Sequence, residues 1–160
     1  MKSCFDLDFD SHAKNLEMIS QNKGQLRKIG KVAYNRKVAI IYNPNSGKKR
    51  DIRAQLISTL TSKKIQYQIY ETKGYMDAWQ IVQNIPFEEH SAIVAVGGDG
   101  TLHEVVNGMM FWPDKKKLPI ALVPNGSGND TCKSIGLNSI DQALEYIKKG
   151  DTLKVDLNRV

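Results

Sequence analysis

Asp99 lies inside the turn Gly97-Gly98-Asp99-Gly100-Thr101, and Glu104 follows on the segment that leaves it. A glycine turn between an apolar run and an amphipathic segment sets backbone N–H groups and a helix N-terminus before an anion, above all a phosphate. Its glycines allow positive φ and close approach of a ligand. A carboxylate placed there repels phosphate unless it helps hold a metal ion or accepts a proton from an attacking hydroxyl. Asp99 is therefore the first candidate for catalysis. Thr101 and Glu104 stand about one helical turn apart, so both are expected to look toward the mouth of the turn.

The elements that must position these groups are legible on either side. Ala92-Ile93-Val94-Ala95-Val96 reads as a buried strand entering the turn. Leu102, Val105, Val106, Met109 and Met110 make one apolar stripe on the helix leaving it, with the methionines as core packing. Lys37 to Tyr42 is a second apolar run, ending in Asn43-Pro44-Asn45-Ser46-Gly47. That turn is either a second phosphate loop or a plain strand-to-helix connection. It is not a Walker A loop, because Tyr42 stands at the first glycine position and Lys49 where Ser or Thr is required.

Helices are expected over 51–63, 75–85 and 129–134, and strands over 66–71 and 119–123. Ser139 with Gln142 forms a capping-box signal, followed by the stripe Ile140, Ala143, Leu144 and Ile147 and a Gly150 C-cap. A further strand is expected from Thr152 to Asp156. Residues 1–35 read as an N-terminal extension, partly helical or mobile, with apolar positions Leu16, Ile19, Leu26 and Ile29. Residues 36–160 read as one α/β domain, a three-layer Rossmann-like parallel sheet with helices on both faces. Ligands bind at the C-terminal ends of such strands. The loops 43–47, 72–74, 97–101 and 125–130 all fall on that rim, where unrelated turns would scatter between both.

Composition limits the alternatives. The chain has 160 residues and a net charge of +6, with its lysines and arginines in short scattered groups. No basic stripe interleaved with aromatics suggests nucleic acid. No apolar run approaches the ~18 residues of a membrane span, and the N-terminus has no signal-peptide core. Cys4 and Cys132 lack metal spacing and are expected to be reduced, and the scattered histidines make zinc improbable.

Asn43 to Gly47, Gly97 to Thr101 with Glu104, and Gly126-Ser127-Gly128-Asn129-Asp130 together resemble the catalytic domain of the diacylglycerol kinase and sphingosine kinase family. The resemblance runs from about Lys37 to Val160. It implies an ATP-dependent, Mg²⁺-assisted transferase that phosphorylates a lipid hydroxyl, on diacylglycerol or a sphingoid base. By that resemblance Asn43, Pro44, Asn45, Ser46 and Gly47 wrap the nucleotide and Thr72 contacts it. Gly97, Gly98, Asp99, Gly100, Thr101, Leu102 and His103 cradle the phosphates. Gly126, Ser127, Gly128, Asn129 and Asp130 close the third side. Asp99 activates the hydroxyl or organises Mg²⁺, and Glu104 orients a neighbouring group. No set of metal ligands is assigned.

The resemblance also implies a cytoplasmic protein in transient contact with membranes. By the resemblance, family members carry a further β-rich domain, a β-sandwich, beyond the strand at Val155–Leu157, and it is expected to be absent from residues 1–160. His103-Glu104-Val105-Val106-Asn107-Gly108 looks like the sphingosine kinase branch, whereas Asn129-Asp130 looks like the diacylglycerol kinase and bacterial branch, which leaves the acceptor open. Two other readings stand beside the lipid kinase. One is a non-catalytic nucleotide-binding module or an incomplete fragment. The other is an NAD kinase-like enzyme, which shares the glycine-aspartate turn but not the other two motifs.

Overall fold

The computed structural model describes residues 30, 31, 33, 35–47, 51–113 and 117–152. In chain order these form β1 (Gly30–Lys31), β2 (Lys37–Tyr42), α1 (Arg53–Ser62), β3 (Tyr67–Glu71), α2 (Asp77–Asn84), β4 (His90–Gly97), α3 (Asp99–Met110), β5 (Ile120–Pro124), α4 (Asp130–Ser134), α5 (Ile140–Lys149) and β6 (Asp151–Thr152). The expected helical positions at 16–29 lie outside the described residues.

Four strands make a parallel sheet in the order β3-β2-β4-β5. Its centre is a continuous apolar layer: every residue of β4 is buried, as is every residue of β2 except Lys37. Right-handed crossovers then dictate the layers. The chain passes from β2 outward to β3 through α1, and back across β2 to β4 through α2. Helices α1 and α5 pack together, joined by Lys63, whose Nζ lies 3.0 Å from Asp141 and 2.9 Å from Glu145. Helices α2 and α3 cover the other face.

The register aligns the strand ends. Tyr42 stands opposite Glu71 on one side and Val96 on the other, and Gly97 opposite Pro124. The ladder runs one residue into each loop: the N–H groups of Thr72, Asn43 and Asn125 donate to the carbonyls of Tyr42, Val96 and Gly97. The connections leaving β2 and β4 diverge to opposite sides, so the crevice between loops 43–47 and 97–101 is the topological switch point of the sheet.

Several expectations are corrected. The strand expected over 152–156 as a further member of the sheet is instead described only at Asp151–Thr152, paired antiparallel with Gly30–Lys31 in a separate two-stranded ribbon; residues 153–160 lie outside the described residues. Helix α2 starts at Asp77, not 75, because Met76 takes a left-handed conformation with φ 64°. On α3 the apolar stripe frays at its end, with Met109 buried and Met110 exposed, while Thr101 is buried with its hydroxyl against the glycine turn. Ser139 Oγ accepts from Gln142 N at 3.1 Å as the capping signal requires, but the Gln142 side chain reaches back past the Ser139 N–H to Asn138 N and Gly136 O.

Helices α2 and α3 meet at Gly108, where a Cβ would stand 2.6 Å from the Trp79 carbonyl oxygen and 3.0 Å from Val82 Cβ. Alanine there gains helix propensity of about 1 kcal/mol but forces two backbones apart, an overpacking cost of about 1–3 kcal/mol. Gly108→Ala is therefore expected to lower the urea midpoint, and an unchanged or raised midpoint would contradict the close crossing.

Candidate functional site

Three loops leave the rim side by side, and the first turns of α3 tie them together. Asn43 Nδ2 donates to Thr101 Oγ1 at 3.0 Å, spanning the switch point, while its Oδ1 accepts from Asn45 N at 3.0 Å. Ser46 Oγ donates to the Asn43 carbonyl and accepts from Asn125 Nδ2 at 3.2 Å. Gly47 has φ +74°, and a Cβ on it would meet the Asn125 oxygen at 2.3 Å. The 125–130 loop is closed by Asn129, left-handed at φ 53°, whose side chain accepts from Gly126 N at 2.8 Å and donates to Gly126 O at 2.7 Å. Gly126 packs directly on Gly98: a Cβ added to it would lie 2.4 Å from Gly98 Cα.

Both carboxylates singled out in the sequence serve the N-termini of other helices. Asp99 Oδ2 accepts from Asp130 N and Oδ1 from Thr131 N, each at 3.0 Å, which caps α4. Glu104 Oε1 accepts from Met76 N and Oε2 from Ala78 N, each at 3.1 Å, which caps α2. A carboxylate there satisfies orphan donors and opposes the positive end of the helix dipole. The N-cap of α3 itself is Gly98, which offers no capping side chain. Its first-turn N–H groups therefore stand at the switch point for an external anion.

The N–H groups of Thr131 and Asp130, with the Thr131 hydroxyl, hold the Asp99 carboxyl below the usual carboxylate range. It is a firm anion at neutral pH and a weak base. Beside it, burial pushes the Cys132 thiol up to about 11, aided by the Asp99 charge. The sign for stability follows from linkage. A lowered carboxyl pKa contributes stability that is present above the unfolded value near ~3.9 and is lost as pH falls through the folded value. The urea midpoint is expected to drop on acidification from about pH 5 to 3, more steeply in the wild type than in Asp99→Asn; parallel slopes would remove Asp99 from that dependence.

A small depression beside the turn is lined by Gly97, Gly98, Asp99, Leu102, Asn129, Thr131 and Cys132, among others. Of the remaining residues expected in the site, Asn45, Gly100, His103, Ser127, Gly128 and Asp130 are exposed, and Pro44 is half-buried. Thr72 is buried at the base of its loop and is not among the residues lining the depression. Sequence reasoning passed over Asn125, buried and bonded to Ser46. Its signal was its position as the first residue after a buried strand, next to Gly126.

Residues 37–160 match the family described as the diacylglycerol kinase catalytic domain. Proteins named diacylglycerol kinase from Staphylococcus aureus strains JH9 and Newman are each 36% identical over 134 residues, covering 78% of this chain and 40% of the relative. The chain thus spans about two-fifths of the length of these relatives. A crystal structure of a diacylglycerol kinase from Bacillus anthracis strain Sterne superposes with TM-score 0.59 at 29% identity, covering 71% of this chain and 42% of that one.

Proposed function

We infer that this chain, which belongs to the diacylglycerol kinase catalytic domain family, carries the nucleotide-binding part of a lipid kinase that moves the γ-phosphoryl group of ATP onto a hydroxyl of diacylglycerol. The observation that carries this reading is the glycine-capped N-terminus of α3 at the switch point, flanked by two further loops packed against it. The relatives are named as diacylglycerol kinases, which favours diacylglycerol over a sphingoid base as acceptor.

In phosphoryl transfer the protein mainly positions groups and neutralises charge. Here the N–H groups of the Gly98–Thr101 turn would receive phosphate oxygens, and Asn45 and Ser127 would reach the nucleotide from the two flanking loops. The lipid oxygen bonds to the γ-phosphorus as the bond to the bridging oxygen breaks, and the hydroxyl proton leaves to a base. Asp99, a weak base, suits the organisation of charge better than proton abstraction.

Among the described residues no group of three metal-ligating side chains comes together. Mg²⁺ on a nucleotide needs one or two carboxylates, with phosphates and water completing its octahedron. Asp99 fits: each carboxylate oxygen that accepts one N–H keeps a second lone pair. Asp130 stands close by, the Oδ2 atoms of both lying 3.5 Å from the place of a Cβ on Gly128. When bound, Mg²⁺ would neutralise charge on the phosphate oxygens.

One observation favours a second reading, nucleotide binding without transfer: Asp99 and Glu104 are both committed to helix capping, which gives each a structural reason to be present. Radiolabelled ATP offered with micelles of diacylglycerol, with micelles of sphingosine, and with NAD separates the readings. The expected result is label on diacylglycerol. Label on another acceptor overturns the substrate assignment, and ATP binding with no labelled acceptor supports the non-catalytic module.

A further inference from the structure

We propose that Glu104 is a positioning residue: its carboxylate holds the turn between β3 and α2 in the shape that completes the nucleotide rim, without touching the nucleotide. The proposal rests on the nucleotide-site reading above and goes beyond it in assigning how Glu104 acts. Glu104 is half-buried on the second turn of α3, and both of its oxygens face the neighbouring chain segment, at Met76 N and Ala78 N. It is not among the residues that line the depression beside the glycine turn.

What it grips is the strained part of that turn. Met76 has φ 64°, a conformation that costs an L residue with a Cβ free energy and is left to glycine or asparagine in most turns. On either side the turn is pinned independently. Thr72 N donates to the Tyr42 carbonyl, continuing the sheet, and Lys73 N donates to Asp77 Oδ2 at 2.6 Å. At its centre Tyr75 is 90% exposed, and the only backbone bond across Tyr75 and Met76 among those described is the long one from Asp77 N to the Gly74 carbonyl, 3.4 Å. The two charge-assisted bonds from Glu104 therefore oppose the relaxation of Met76 and fix the start of α2 against α3. The same helix that offers its N-terminus to the phosphate thereby sets the fourth loop of the rim.

The test pairs Glu104→Ala with Met76→Gly, which removes the strain that the clamp opposes. In the full-length protein, Glu104→Ala is expected to speed amide exchange at residues 76 and 78 and to raise the KM for ATP about tenfold, with kcat within about twofold. Met76→Gly in that background is expected to restore most of the lost affinity, since glycine holds the left-handed turn unaided. A fall in kcat with exchange unchanged would overturn the proposal, as would a loss of ATP affinity that Met76→Gly does not restore; either would place Glu104 in direct contact with the nucleotide. Should Glu104→Ala fail to fold, Glu104→Gln, which keeps one acceptor oxygen, carries the same comparison. A wild type that binds no ATP overturns the nucleotide reading instead, and is told apart because the faster exchange in Glu104→Ala remains.

Discussion

Asp99→Asn is expected to leave a folded protein that still binds ATP and to lower phosphoryl transfer by about two orders of magnitude or more, the scale of losing one electrostatic stabiliser of the transition state. The substitution also has a structural cost. Both Asp99 oxygens accept N–H groups of α4, and an amide can supply only one acceptor, so its NH₂ must face a donor. Loss of a cap costs about 1 kcal/mol, too little to unfold a domain of ordinary stability. The two effects separate in one set of measurements, because urea unfolding reads the cap and single-turnover transfer reads the chemistry. Transfer at the wild-type rate would remove Asp99 from the mechanism. A loss of transfer no larger than the loss of stability accounts for would confine it to capping.

Gly126→Ala is expected to abolish tight ATP binding, with an affinity loss of about tenfold to a hundredfold, because it separates the two turns that pack backbone against backbone. The new Cβ would lie 2.4 Å from Gly98 Cα, a backbone atom, and 2.9 Å from Asn129 Oδ1, a side-chain end held in place by its bonds to Gly126. Overpacking of this kind costs about 1–3 kcal/mol. The reciprocal Gly98→Ala meets Gly126 Cα at 3.1 Å and is the milder change. Gly100 supplies the contrast, since nothing lies within 4 Å of its added Cβ. Gly100→Ala disturbs no packing, so any loss of ATP affinity there reports the ligand's own contact. Calorimetric titration with ATP across the three variants checks the order, and equal affinities at Gly126→Ala and in the wild type would show that the loop contact does not shape the site.

The sheet and its rim could be read from sequence because their signals are local. The runs at 38–42 and 92–96 are apolar throughout, as strands covered on both faces are. The loops 43–47 and 97–101 follow those two runs directly, so that part of the rim is read as soon as the strands are. The Ser139 cap was likewise written within four residues. What stayed hidden are bonds between segments far apart in the chain. Asn43 meets Thr101 at a separation of 58 residues, Asp99 meets Thr131 at 32, and Glu104 meets Met76 at 28. Nothing in the sequence around Asp99 or Glu104 says that its oxygens serve another helix, and so both read as chemistry alone. The ribbon of Gly30–Lys31 with Asp151–Thr152 was invisible for a related reason, since two residues carry no periodicity.

The central claim is that the N-terminus of α3 at the switch point receives nucleotide phosphate, and amide NMR tests it most directly. The protein labelled with ¹⁵N is titrated with Mg²⁺ and ATP, and separately with inorganic triphosphate and with adenosine. The account predicts saturable shifts of the Gly98, Asp99, Gly100 and Thr101 amides with ATP and with triphosphate, and none at those positions with adenosine. Saturable ATP binding that leaves these four amides unmoved would contradict it.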